Sequence, residues 1–237
     1  VTPNDVPTIR EMPMRPMFPR PLRSLALLLG ALTLSLATGC SYLLGARNTP
    51  PQLYVLSTTP ADATIALPEG LVLGLGPVDL PAYLDRRGIV RRVDANRLEE
   101  SRMDLWAEPL GSGFKAVIEQ NLRLRMPGVP IRTFPWPLGS QPRFAVAIEV
   151  SRFELTPGGT VELNARYGVR TPEDGVVRMN RDTALVEPVS GPGSENVVAA
   201  MSAAIGKLSN EVARSVGEVA SATRSSTSSA SGRTRSR

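Results

Sequence analysis

The chain has 237 residues, 22 acidic and 27 basic side chains, one cysteine and no histidine. Without histidine or a second cysteine it lacks the commonest neutral-pH base and any thiolate cluster for zinc, which argues against most hydrolases and metalloenzymes. The basic excess lies at the ends: between residues 40 and 220 there are 19 basic and 20 acidic side chains, so nothing marks nucleic-acid binding.

Arg10, Arg15, Arg20 and Arg23 precede the apolar run SLALLLGALTLSLA, which ends in Thr38-Gly39-Cys40. A basic region, an apolar segment of about 13 residues and small residues before a processing point describe a secretory signal. The run is shorter than the ~20 residues of a membrane-spanning helix. Ala37-Thr38-Gly39-Cys40 resembles a bacterial lipobox. In that pattern the Cys40 thiol carries diacylglycerol, cleavage follows Gly39 and the new amine is acylated. The bland alternative is a small residue beside an ordinary cleavage site. The limited tolerance of the lipobox before its cysteine, and Cys40 being the only cysteine, favour lipidation. Ala37 stands where Leu is commonest, and Ser41 stands where inner-membrane retention favours Asp. The sorting pattern therefore points to the periplasmic face of the outer membrane.

Residues 1–39 are thus read as a signal peptide and 40–52 as a lipidated tether. The twelve residues SYLLGARNTPPQ reach at most about 40 Å, so the body sits close to its membrane. Leu53–Leu56 and Leu71–Val78 read as strands, the second with glycines that suggest a bulge or close backbone approach. Ile89–Val93 reads as a short strand, and another is expected around Asn96, Leu98 and Glu99. From Asp104 to about Arg123, Trp106, Leu110, Phe114, Val117 and Leu122 recur at helical spacing, with the regular helix starting near Glu108 because Pro109 fits only a first turn. A turn-rich patch follows, through Pro130 and Pro135.

Phe144, Val146, Ile148 and Val150 alternate, whereas Phe153 and Leu155 have the opposite parity, which predicts a bulge near Ser151 or Arg152. After Pro157-Gly158-Gly159, Val161, Leu163, Ala165, Tyr167 and Val169 alternate again, completing a hairpin with one buried face. Residues 176–189 supply a further strand, interrupted at Asn180–Asp182. Ser194 is an expected N-cap of a helix of about 24 residues, in which Val197, Met201, Ile205, Leu208, Val212, Val216 and Val219 form the apolar stripe. Residues 221–237, rich in Ser, Thr and Arg, have little to bury and read as a disordered tail. The fold class expected for the single domain at 53–220 is α+β: a largely antiparallel sheet covered by two main helices, the longer one C-terminal.

Three stretches, LPAYLDRRGIV (80–90), LWAEPL (105–110) and VSRFEL (150–155), together with the lipobox and AMSAAIGKLSNEVA, resemble the PqiC/YmbA family of ABC-type transport auxiliary lipoproteins. The likeness departs at Leu105, where many members carry a polar or basic residue, and the basic tail looks like an addition. The resemblance implies a non-enzymatic outer-membrane subunit without cofactor or metal. It would work with an MCE-domain tunnel protein and that protein's inner-membrane partner in moving lipid between membranes. It further implies a homo-oligomer under the tunnel tip, with phospholipid as a candidate ligand. An ATPase-driven MCE system is a sibling expectation, and a structural scaffold or cell-wall-binding lipoprotein an alternative of another class. Besides Cys40, the interaction candidates are Tyr83, Asp85, Arg86, Trp106 and Glu108. Tyr83 would anchor a groove, Asp85 and Arg86 would pair locally or reach a neighbouring subunit, Trp106 would pack the first helix, and Glu108 would be a favourable first-turn charge.

Overall fold

The computed structural model describes residues 50–137 and 139–234. The signal segment, Cys40 and most of the tether lie outside the described residues. The elements are β1 (Gln52–Tyr54), β2 (Leu73–Asp79), a single 3-10 turn (Ala82–Leu84), β3 (Gly88–Arg92), β4 (Leu98–Trp106), α1 (Leu110–Arg125), β5 (Ile131–Thr133), β6 (Phe144–Leu155), β7 (Thr160–Arg170), β8 (Val177–Pro188) and α2 (Ser194–Thr234). Among the described residues eight strands form one sheet and two α-helices accompany it, the C-terminal one longer, which is the expected α+β class.

β6 is the axis of the sheet. Along one edge it makes a long antiparallel ladder with β7, and β7 continues into β8. Its register shifts between Val150 and Arg152, so Ser151 is the extra residue of a bulge and Phe153 returns to the core side. On β7 the alternating Val161, Leu163, Ala165, Tyr167 and Val169 are all buried. The other edge of β6 is divided: β2 runs parallel to residues 144–149, and β3 meets Leu155 through Arg91. β3 pairs antiparallel with β4, β4 parallel with β1, and β2 parallel with β5. The long ladders are antiparallel; the parallel contacts are short ones between segments distant in sequence.

Four boundaries differ from expectation. Asp104–Trp106 is the end of strand β4, not the start of a helix, because these residues pair with Gln52–Tyr54 on one side and Leu105 pairs with Gly88 on the other. The expected interruption at Asn180–Asp182 is continuous strand, in which Arg166 Nε holds Asp182 at 2.8 Å and Arg181 holds Glu218 of α2 at 2.8 Å. An edge strand tolerates these polar residues because only one side of it is covered. Ile131–Thr133 within the turn-rich patch is a short strand, hydrogen-bonded to Leu73–Leu75. Finally, α2 continues past Ala220, through much of the segment expected to be disordered, to Thr234. That segment has no proline, and Ser225 bonds back to the Ser221 carbonyl at 2.8 Å within the helix.

Both helices bury one stripe. Phe114 of α1 meets Phe153 of β6 edge to face, with ring centroids 5.2 Å apart. On α2, Met201, Ile205, Leu208, Val212 and Val216 are buried, and Ser209 satisfies its hydroxyl on the Ile205 carbonyl at 2.7 Å. Tyr167 Oη and Ser215 Oγ stand 3.1 Å apart where α2 crosses β7. Arg125, at the end of α1, is 1% exposed. It donates to the carbonyls of Thr59, Pro60, Asn121 and Gly206, to Thr59 Oγ1 and to Asn210 Oδ1. Burial lowers its pKa, with Asp62 opposing the shift. One guanidinium thereby joins α1, α2 and the loop after β1.

Candidate functional site

Pro81 and the following Ala-Tyr-Leu close a 3-10 turn in which Leu84 is buried and the Asp85 N–H bonds the Ala82 carbonyl at 3.2 Å. The turn carries Tyr83 over the helix-free side of β6. There the phenol donates to Glu154 Oε2 at 2.6 Å. Glu154 is 0% exposed. Its other oxygen accepts from Arg92 Nε at 2.8 Å and Arg152 Nε at 3.1 Å, while the Phe153 N–H reaches Oε2 at 3.2 Å. Arg152 also holds Glu162 on β7 at 2.5 Å. A buried carboxylate with this many donors, two of them charged, is a fully partnered node, not an isolated charge.

The electrostatics follow from that packing. Burial, then the hydrogen bond to Glu154 and its charge, push the Tyr83 phenol up to about 12, with Arg92 opposing. The hydrogen bond to Glu154 also raises the Arg92 pKa, against the effect of burial. Both groups therefore keep their protons at neutral pH, where they fasten the turn and β3 to Glu154.

The second stretch joins by its main chain. Trp106 ends β4, is buried, and its N–H bonds the Arg87 carbonyl at 2.8 Å. It thus packs at the end of a strand, not within the first helix as the sequence suggested. Gly88 makes this junction sterically possible: a β-carbon there would lie 2.1 Å from the Ser101 carbonyl oxygen. The Gly88 N–H is satisfied by Glu100 Oε1 at 2.8 Å. Glu108 is exposed and its carboxylate lies over Gly113, in the first turn of α1.

Residues 80–90, 105–110 and 150–155, far apart in sequence, therefore meet around one buried carboxylate and one strand junction. Asp85 and Arg86 project from this assembly: both are exposed, and neither forms an ion pair with a described residue. They do not pair with each other. The central residue, Glu154, is absent from the candidates drawn from sequence. Its signal was the Arg152-x-Glu154 spacing just past the bulge, which sets both side chains on one face beside Glu162. Among the described residues no group of three or more His, Cys, Asp or Glu side chains is arranged to hold a metal ion, and no helix is long and apolar enough to cross a membrane.

The family model described as "ABC-type transport auxiliary lipoprotein component" matches residues 54–213. Among solved structures, a Xanthomonas campestris protein, XCC0632, matches with a TM-score of 0.63 at 15% identity, covering 73% of this chain and 99% of that one. A second crystal structure, of an uncharacterized protein, matches with a TM-score of 0.57 at 20% identity, covering 70% of this chain and 99% of that one. At these identities the two share the fold with this chain. No curated protein sequence matches it.

Proposed function

The chain belongs to the family of ABC-type transport auxiliary lipoprotein components, and from that membership we propose that it is the outer-membrane subunit of an MCE-type lipid transport system. In this reading Cys40 carries the lipid anchor, and the body docks the end of a periplasmic tunnel protein and supports envelope integrity. The family is a transport auxiliary, not a catalytic one. The observation that carries the docking role is the exposed Asp85-Arg86 step, without an ion pair to any described residue, held on a turn whose Tyr83 is fastened to the buried Glu154. A turn stiffened in this way presents its two charges with little conformational entropy left to lose on binding. The short tether agrees, because a body held within about 40 Å of its membrane needs another component to cover the rest of the envelope. The proposal includes self-association of the body beneath the tunnel.

Brief crosslinking of the native lipidated protein, gentle detergent extraction and mass spectrometry of proteins and lipids test the role. Recovery of an MCE-domain protein is the expected result. Recovery of cell-wall fragments and no MCE-domain protein would instead identify a scaffold.

A further inference from the structure

Between the start of α2 and the β3–β4 ladder lies a groove of about 600 Å³. Its floor is apolar: Ile89 and Val197 are buried core residues, and Leu155 and Val189 pack partly against the same core. Met103 stands at its margin, 43% exposed. The rest of that margin is acidic. Glu99, Glu100 and Asp104 of β4 line it, and among the described residues that line it the one cation is Arg91, held by Glu99 at 2.7 Å. Glu100 accepts the Gly88 N–H at 2.8 Å and Asp104 accepts the Ser101 hydroxyl at 2.9 Å, but neither forms an ion pair with a described residue. A further carboxylate, the exposed Glu195, stands in the first turn of α2. Tyr54 on the neighbouring strand registers this field: desolvation first, then the charges of Asp104 and Glu195, raise its phenol. The groove therefore joins an apolar floor to a margin with more negative charge than its own cation answers.

We propose that this groove docks a short extended segment of a partner protein in which apolar side chains alternate with lysine or arginine. Apolar side chains two residues apart share one face of an extended segment, and they cover Ile89, Leu155, Val197 and Met103. The basic side chains reach Glu100 and Asp104, their stems following the apolar margin. Charge selects this occupant. A neutral apolar segment would take two carboxylates out of water without a counter-charge, and an acidic one would meet like charges. A lipid chain suits the floor, but its phosphate would be repelled at the margin. Asp85 and Arg86 do not line the groove, so the inference stands apart from the docking role given to them.

The test places the photo-crosslinker p-benzoylphenylalanine at Met103 in the native lipidated protein and irradiates intact cells. Peptide mass spectrometry then identifies the segment bonded to it. The same crosslinker at Val186, exposed on β8, is the control. The Met103 position should capture another envelope protein through a segment in which lysine or arginine alternates with apolar residues, and the Val186 position should not capture that segment. Glu99→Lys combined with Glu195→Lys, both at exposed positions, should reduce the capture about tenfold with an unchanged circular dichroism spectrum. A synthetic peptide of the captured segment should bind the purified full-length protein, and about tenfold more weakly once its basic residues are replaced by glutamine. Capture of an acidic or neutral segment, of a second copy, of residues 40–49 of this chain or of lipid alone would overturn the proposal. So would no capture at all, or capture indifferent to the two charge reversals.

Discussion

The Tyr83 phenol reaches Glu154 at 2.6 Å across 71 residues of chain. This bond ties an exposed turn to the central strand, and it determines how the presented face responds to mutation and to pH.

Tyr83→Phe removes one donor to the buried carboxylate and leaves the aromatic packing. Because Arg92, Arg152 and the Phe153 N–H remain on Glu154, the expected loss is about 1–2 kcal/mol. It should appear as a lower urea midpoint with an unchanged m-value.

Alkaline conditions probe the same bond. The Tyr83 phenol is pushed up to about 12 from its ordinary 10.0, so between these values the folded state binds the proton more tightly than the unfolded one. The associated stability is present below pH 10.0 and declines as pH rises towards about 12. Tyr167 is also raised, chiefly by burial, and adds to the decline. In Tyr83→Phe the fall across this window should be shallower than in the wild type, as measured by chemical denaturation at stepped pH.

Arg125→Met is expected to cost about 3 kcal/mol or more, because it strips the donor from several buried carbonyls together. Arg125→Lys should recover only part of this, since an ammonium cannot fan out over the same acceptors. Thermal unfolding of the two variants side by side provides the check.

Asp85→Lys combined with Arg86→Glu should leave stability within about 0.5 kcal/mol, as for surface changes without buried partners. The same variant should reduce crosslinked recovery of the proposed MCE-domain partner by about tenfold if these charges face it. Unchanged recovery would remove the pair from the docking surface.

Cys40→Ala should release the folded body from the membrane fraction while leaving its circular dichroism spectrum unchanged. Retention equal to the wild type would end the anchor assignment.

The parts legible in the sequence were those whose signal is local. The alternation from Phe144 to Val169 specified the β6–β7 hairpin, and the parity change at Phe153 predicted a bulge near Ser151 or Arg152, which the ladder places at Ser151. The apolar repeat from Val197 to Val219 specified the packed part of α2. What was lost depends on partners remote in sequence. β4 carries Glu99, Glu100 and Arg102 and has no clean alternation; it is strand because β1 and β3 flank it. β5 is only three residues long and exists through its pairing with β2. Trp106 satisfied a helical repeat by coincidence of spacing. Tyr83 was legible as a residue that packs and bonds, but Glu154 was not, because its donors come from the turn, β3 and β6, which no single window contains.

The Arg125 junction has an environmental consequence. Its hydrogen-bond acceptors are carbonyl, amide and hydroxyl oxygens, none of which titrates. A fastening made with carboxylates loosens when they are protonated, whereas this one keeps its acceptors at any acidity the folded chain survives. Being buried, it is also little screened by salt. A lipoprotein outside the cytoplasm meets the acidity and ionic strength of its surroundings with little buffering between. The oxygens through which Arg125 joins the two helices are indifferent to that acidity, and the nearby Asp62 charge adds a further hold on the guanidinium.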